Sequence, residues 1–170
     1  MIHVYYGDGP GKTTAAFGLG IRALGRGWRI AAAQFLKGDD SGERRVFEQL
    51  PGAALLSVPD TLPFTFAMSD DERNSYRMFL RQIWQEILSL LQHRQADMLI
   101  LDEWGDALEQ GWFSTADTAD LWQAAGDTEL VITAHRLSPC LWDKADYLTE
   151  MKKHKHPYDS GQTARRGIEY

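Results

Sequence analysis

The amino-acid sequence predicts an α/β fold in which a mostly parallel sheet of about six strands has helices on both faces. Short apolar runs of strand length alternate with helix-patterned segments along all 170 residues, which is typical of strands joined by right-handed crossovers. Two of the runs, 30–33 and 98–101, are apolar without interruption, as strands buried on both faces require. A glycine-rich turn joins the first strand to the first helix.

Length and composition limit the class of protein to which this chain can belong. With 170 residues and 44% hydrophobic content, the chain is expected to form one domain, residues 1–170. Cys140 is the only cysteine, which excludes a disulfide framework and favours a reducing compartment. No run approaches the ~20 apolar residues of a membrane span, and no leader precedes the first strand, so we expect a cytoplasmic protein. The net charge of -6 argues against nucleic-acid binding.

The glycine-rich turn has the pattern of a phosphate-binding loop. The consensus is Gly, four residues, then Gly-Lys-Ser/Thr, and residues 6–14 read Tyr6-Gly7-Asp8-Gly9-Pro10-Gly11-Lys12-Thr13-Thr14. Glycines allow backbone N–H groups to converge on phosphate at the positive end of a helix. We expect residues 7–14 to bind ATP, with Lys12 on the phosphates and Thr13 on a magnesium ion. The predicted fold is therefore P-loop NTPase-like.

The first half of the chain is expected to supply three strands and two helices. Strands are predicted at 2–6, 30–35 and 54–58, and helices at 13–24 and 42–50. In an open α/β sheet, ligands bind outside the carboxyl ends of the strands. Gln34 and Lys37 follow the second strand and are candidate ligand contacts, although Lys37 could equally be a solvated loop lysine. The connection 59–68 contains Phe64 and Phe66, which either cover the core or form a wall for a flat apolar ligand.

The second half begins with a capping box, Ser69 and Glu72, before the longest predicted helix. Its apolar stripe is either core or a subunit contact; it comprises Tyr76, Phe79, Leu80, Ile83, Trp84, Ile87, Leu88 and Leu91. The next strand ends in Asp102 and Glu103, as in the Walker B element that holds magnesium beside a phosphate loop. Asp106 is expected to face solvent. A helix capped by Ser114 and Asp117, strands at 129–133 and 147–151, and a short helix opened by Pro139 complete the series.

These segments resemble one family over nearly the whole chain, the ATP:corrinoid adenosyltransferases that make adenosylcobalamin. Beyond the loop, the similarity extends to the Phe64-Thr65-Phe66 triplet, where the family has Phe-Thr-Trp, and to Leu101-Asp102-Glu103. The other matching segments are Gln34-Phe35-Leu36-Lys37-Gly38, Gly42-Glu43, Ala145-Asp146, Thr149-Glu150-Met151, Lys155-His156-Pro157-Tyr158, Gly161 and Gly167-Ile168-Glu169-Tyr170.

The resemblance implies transfer of the 5′-deoxyadenosyl group of ATP to the Co(I) of a reduced corrinoid, cobalamin or cobyrinic acid a,c-diamide, with release of triphosphate. It implies Mg²⁺ or Mn²⁺, an electron donor such as a flavodoxin-type reductant, and a homodimer. It also implies that Phe64 and Phe66 displace the lower axial ligand of the corrinoid, which eases reduction of Co(II). Further ligand contacts are expected at Gln34, Lys37, His135, Arg136 and His156.

The chain departs from the family pattern at several places. Pro10 stands where the family usually has Lys, and Phe66 where it has Trp. The family has Gly-Arg-Gly where this chain has Ala134-His135-Arg136, so the guanidinium is either displaced by one position or replaced by His135. Many members also have an N-terminal extension over the site, whereas the first strand here begins at Ile2. Two other hypotheses therefore remain: a kinase or NTPase acting on the γ-phosphate, and a non-catalytic corrinoid- or nucleotide-binding relative.

Overall fold

The computed structural model describes residues 1–38, 41–59 and 67–168. Its six strands are β1 (Ile2–Tyr6), β2 (Ile30–Gln34), β3 (Ala53–Leu55), β4 (Met98–Asp102), β5 (Glu129–Ala134) and β6 (Tyr147–Glu150). They form one sheet in the order β3-β2-β4-β5-β1-β6, and every pairing among these strands is parallel. The predicted α/β class with a parallel sheet of about six strands is confirmed.

Helices cover both faces of this sheet, as predicted. They are α1 (Lys12–Leu24), α2 (Gly42–Phe47), α3 (Asp70–Gln92), α4 (Trp104–Glu109), α5 (Thr115–Ala125) and α6 (Pro139–Trp142), followed by a 3₁₀ turn, Pro157–Ser160. One buried cluster joins α1 and α2 to one face of the sheet, through side chains such as Phe17 and Phe47. A larger cluster joins α3, α4 and α5 to the other face. The two clusters together bury the central strands on both sides.

The apolar stripe of α3 belongs to the core of this chain. Tyr76, Leu80, Ile83, Trp84, Ile87 and Leu91 are buried, and Phe79 and Leu88 are partly buried against them. The Trp84 ring stacks on that of Trp104, with 5.7 Å between centroids. The predicted capping box is present at the start of the helix, where Ser69 and Glu72 bond reciprocally. Of the two sequence-based alternatives for the stripe, core and subunit contact, the structure therefore shows the core.

Several boundaries and one helix differ from the sequence-based prediction. The second helix ends at Phe47 rather than residue 50, because Gln49 and Leu50 turn through tighter i→i+3 hydrogen bonds. β3 is shorter than the predicted 54–58, since it is an edge strand that pairs with β2 over three residues. α4 was not predicted: its first turn has no side-chain cap, and Glu103 before it has a left-handed backbone. Phe64 and Phe66 lie outside the described residues.

None of the helices in the described part of the chain is long and apolar enough to cross a membrane. The longest, α3, carries seven charged residues between Asp70 and Glu86. Its apolar residues form the one-sided stripe expected of a helix that packs on a sheet.

Candidate active site

The carboxyl ends of the parallel strands all lie at the same end of the sheet. β2 and β4 are in register, so that Gln34 lies beside Asp102, and β1 and β5 place Tyr6 beside Ala134. The glycine-rich loop leaves β1 at this end and leads into α1. The structure therefore brings the loop together with the side chains that follow the other strands, which is where ligands bind in α/β sheets.

The glycine-rich loop packs closely against the chain that follows β6. Gly7 and Gly11 have left-handed φ angles of 114° and 102°, and a Cβ built on Gly9 would lie 2.7 Å from the carbonyl oxygen of Met151. The Gly7 amide donates to the carbonyl of His135 at 3.2 Å, and the Gly9 amide to that of Met151 at 2.7 Å. These two amides thus fix the loop. The first amides of α1 have no partner within the helix, as at any helix N-terminus, and such amides suit a phosphate.

Lys12 lies inside the loop that it follows. Its ammonium donates to the carbonyl oxygens of Gly7 at 2.7 Å and Gly9 at 2.9 Å. Burial lowers the pKa of Lys12, although the nearby carboxylates of Asp106 and Glu103 act in the opposite direction. The ammonium is therefore held by neutral carbonyls, which a phosphate can replace with stronger hydrogen bonds between opposite charges.

Asp102 is the most connected side chain of the site and is fully buried. Its Oδ1 accepts hydrogen bonds from the hydroxyls of Thr13 at 2.9 Å and Thr133 at 2.8 Å. Its Oδ2 accepts from Gln34 Nε2 at 3.1 Å and from the Lys37 ammonium at 2.8 Å. Burial would raise the pKa of Asp102, but Lys37 and the other donors outweigh it and hold the pKa below its ordinary value. The carboxylate is therefore ionised.

Lys37 places its ammonium among three oxygens of the site. It lies 3.0 Å from Thr13 Oγ1, 2.8 Å from Asp102 Oδ2 and 3.2 Å from Glu103 Oε1. Burial lowers the pKa of Lys37, but the two carboxylates more than offset this and raise it. A hydroxyl and two carboxylates are oxygen ligands of the kind that Mg²⁺ takes. This set thus suits a cation, although the described residues contain no group of three His, Cys, Asp or Glu side chains placed to hold a metal.

Glu103 has an unusual backbone for a non-glycine residue, with φ at 59°. Its amide donates to the Thr133 hydroxyl at 2.7 Å, and the same hydroxyl donates to Asp102. Burial raises the pKa of Glu103, as do the carboxylates of Asp102 and Asp106, against the influence of Lys37. The contact with Thr133 helps to hold the strained turn and couples Glu103 to the end of β5.

Asp106 is buried, with 8% exposure, so the expectation that it faces solvent is wrong. The first turn of α4 directs it toward β5 instead, where its carboxylate accepts hydrogen bonds from the backbone amide of His135 at 2.9 and 3.0 Å. Arg136, the next residue, is 81% exposed in its side chain and pairs with Glu109 at 3.4 Å. Of the two basic candidates after β5, His135 is the one whose backbone contacts the loop.

The remaining predicted contact, His156, lies in the basic tail, residues 151–170, where five Lys or Arg stand against two Asp or Glu. Its Nδ1 accepts from the Tyr158 amide at 3.1 Å, which caps the 3₁₀ turn. Both partners of this hydrogen bond, His156 and Tyr158, belong to the tail. Lys153 connects the tail to the loop, since its amide donates to Asp8 Oδ1 at 3.0 Å.

Sequence reasoning missed two residues of the site, Thr133 and Asp106. Thr133 interrupts an apolar strand close to its carboxyl end, and a polar residue at that point in an α/β sheet is a usable signal. Asp106 offered no such signal, because the helix that positions it was not predicted.

Comparison with known proteins identifies the relatives of this chain. The family model described as "ATP:corrinoid adenosyltransferase BtuR/CobO/CobP" matches residues 1–170. A corrinoid adenosyltransferase of Pseudomonas aeruginosa is 31% identical over 172 residues, covering 100% of this chain and 83% of the relative. One of Salmonella typhimurium, named CobA, is 31% identical over 172 residues, covering 100% and 85%.

The chain belongs to the ATP:corrinoid adenosyltransferase family. Among solved structures, domain III of the Thermotoga maritima replication initiation protein DnaA aligns with 88% of this chain and 54% of that chain, at 12% identity and a TM-score of 0.43. So distant a likeness leaves the family assignment to the sequence comparisons.

The oxygen set of this adenosyltransferase leads to a prediction about Lys37. Lys37→Met removes the ammonium and leaves the buried Asp102 carboxylate without its cation, so we expect the free energy of unfolding at pH 7 to fall by about 3–5 kcal/mol. Adding Asp102→Asn to Lys37→Met removes the uncompensated charge, so the double variant should recover much of the lost stability. Chemical denaturation of the two variants and the wild type measures both changes.

The pH dependence of that loss has a definite sign. Because the pKa of Asp102 is lowered in the folded protein, its contribution to stability is present above the unfolded-state pKa of about 3.9 and is lost as the pH falls through the folded-state pKa. The wild type and Lys37→Met should therefore converge in stability on acidification. A constant difference between pH 7 and pH 3 would contradict the proposed ion pair.

Proposed function

We propose that this adenosyltransferase transfers the 5′-deoxyadenosyl group of ATP to the Co(I) of a reduced corrinoid and releases triphosphate. The observation that carries the proposal is the phosphate loop joined through Thr13 to the buried Asp102, in a chain that matches the family over residues 1–170. A kinase or NTPase acting on the γ-phosphate would share the loop. It would not account for the match of the whole chain.

The chemistry asks the protein for positioning and charge stabilisation. The Co(I) electron pair attacks C5′ of ATP, the cobalt–carbon bond forms, and the C5′–oxygen bond breaks with its electron pair leaving on the triphosphate. Since Co(I) is itself a strong nucleophile, no Ser, Cys or His nucleophile is required. The protein must hold C5′ toward cobalt and stabilise the departing polyanion. The first amides of α1 and the ammonium of Lys12 are the groups at the loop that suit this task.

A divalent cation, Mg²⁺ or Mn²⁺, would be held by Thr13, Asp102 and Glu103. The supporting observation is that these three oxygens already surround the Lys37 ammonium. When bound, the ion would neutralise charge on the triphosphate. Lys37 would then lose at least some of its contacts with these three oxygens, and its long side chain would let the ammonium reach the phosphates. Gln34 and Thr133 would keep the Asp102 carboxylate oriented.

Other parts of the proposal rest on the family resemblance. Phe64 and Phe66 would displace the lower axial ligand of the corrinoid, and a flavodoxin-type reductant would supply the electron. The substrate would be cobalamin or cobyrinic acid a,c-diamide, in synthesis or salvage, and the lone Cys140 fits a cytoplasmic setting. A homodimer would have to use a surface other than the α3 stripe, which lies in the core.

Lys12→Ala should reduce turnover by on the order of a hundredfold or more, because it removes a charge that stabilises the leaving group. The assay is anaerobic incubation with ATP, Mg²⁺ and chemically reduced cobalamin, following both the light-sensitive cobalt–carbon product and inorganic triphosphate. Lys144→Ala is the matched control. Lys144 is exposed and precedes β6, at the amino ends of the strands and away from the loop. This variant should retain wild-type activity.

Three results would count against this proposal. Near-wild-type turnover of Lys12→Ala at saturating ATP would exclude the loop assignment. ADP and phosphate as products would favour the kinase or NTPase hypothesis. Binding of corrinoid or ATP by the wild type without turnover under reducing conditions would favour a non-catalytic relative.

Replacement of both Phe64 and Phe66 by Ala should have an effect that depends on the cobalt state. We expect a large loss of activity with Co(II) and a mild reductant, but a small loss with Co(I) prepared beforehand, because the rings are proposed to ease the reduction and not the attack. Electron paramagnetic resonance of the Co(II) complex with ATP measures the four-coordinate population directly. If that population is unchanged in the double variant, the proposed role is wrong. A core role would instead cost about 3–5 kcal/mol of stability per ring.

A further inference from the structure

We propose that Asp106 and His135 form a positioned pair that presents an imidazolium to the leaving triphosphate. The inference deepens the proposed function and rests on it. It gives this chain a cationic phosphate ligand after β5 and makes Asp106 a positioning residue for it.

The Asp106 carboxylate holds His135 by both its main chain and its ring. Both oxygens of Asp106 accept from the His135 amide, at 2.9 and 3.0 Å, and Oδ2 lies 3.1 Å from Nδ1. Asp106 is buried, whereas the His135 side chain is 60% exposed. Since Nδ1 faces the carboxylate, it carries the proton, and Nε2 is left for a ligand. A buried acceptor that fixes an exposed ring is an arrangement suited to binding.

The same histidine is joined to the phosphate loop. The carbonyl of His135 accepts from the Gly7 amide at 3.2 Å, so one chain of hydrogen bonds runs from Asp106 through His135 to the first glycine of the loop. The ammonium of Lys12 and the imidazole are close enough to influence each other electrostatically. An anion bound at the loop would offset the repulsion between these two cationic groups, as the carboxylates of Asp106 and Glu103 already do in part.

Close packing between α4 and β5 brings Asp106 to this place. A Cβ built on Gly105 would lie 2.5 Å from the Cβ of Ala134 and 3.2 Å from Leu141 Cδ1. Only glycine therefore lets the start of α4 approach the end of β5 so closely while residue 134 carries a methyl group. Gly105, Asp106, Ala134 and His135 thus form one fitted contact.

The charges that face His135 favour its protonated form. Its hydrogen bond with Asp106 is the largest influence and raises the pKa of His135 above the ordinary 6.5, burial opposes it, and the charges of Asp106 and Glu103 support it. Lys12 lowers the pKa. The adjacent Arg136 already pairs with Glu109. An anion bound at the loop would offset the effect of Lys12 and favour the imidazolium further.

The test is calorimetric binding of inorganic triphosphate, with Mg²⁺, to the full chain between pH 6.0 and 8.5 without corrinoid. His135→Gln removes the cation, His135→Arg replaces it with a group that stays charged, and Asp106→Asn keeps an acceptor but removes the negative charge. His93→Gln, at the exposed end of α3, is the matched control. Dividing each dissociation constant by the wild-type value cancels the titration of triphosphate itself.

We expect His135→Gln to bind triphosphate about tenfold more weakly than the wild type at pH 6.0. This difference should shrink as the pH rises through the raised pKa and the wild-type imidazolium loses its proton. Asp106→Asn should move that change to lower pH, and His135→Arg should retain tight binding at pH 8.5. A merely structural Asp106 would change the melting temperature without moving the pH profile.

The inference is overturned if His135→Gln and the wild type bind equally at every pH, or if Arg136→Gln shows the loss instead. In either case a wild type that binds triphosphate and forms the cobalt–carbon product leaves the proposed function standing. A wild type that neither binds triphosphate nor forms that product overturns both.

Discussion

The arrangement of this site depends on one buried carboxylate. Asp102 is removed from solvent at the end of a central strand, and an ionised carboxylate in that position is unstable unless donors surround it. The donors come from β2, from the loop after it, from α1 and from β5. Each of these segments must end at the correct point for the charge to be satisfied. The need to pair one negative charge therefore fixes the phosphate loop relative to three other strand ends.

The same requirement explains the position of Lys37. Its ammonium balances Asp102 and Glu103 among oxygens that suit a divalent cation, so the protein itself supplies the positive charge that these carboxylates require. Under the proposed function, a bound metal would compete with the ammonium for these oxygens. Loading the site would then change which cation neutralises the carboxylates, and the displaced ammonium would become available to phosphate.

The sequence predicted those features that depend on local pattern. The apolar runs of β2 and β4, the glycines of the loop and the capping box of α3 are each encoded within a few neighbouring residues. The rule that ligands bind at the carboxyl ends of parallel strands made Gln34 and Lys37 candidates beside the loop, and the likeness to a Walker B element added Asp102 and Glu103. The contact of Asp106 with His135 could not be predicted in the same way. It joins residues 29 positions apart and depends on a short uncapped helix, on the left-handed turn at Glu103 and on the space left by Gly105.

The measurement that tests the shared cation site most directly is the affinity of the nucleotide-free protein for Mn²⁺, followed by electron paramagnetic resonance, in the wild type and in Lys37→Met. Lys144→Met serves as the control for the change in net charge. If the ammonium and the metal share the oxygens of Thr13, Asp102 and Glu103, removal of the ammonium should tighten Mn²⁺ binding by at least about tenfold, because a full positive charge no longer opposes the ion at contact distance. Equal affinity in the wild type and both variants would contradict the account.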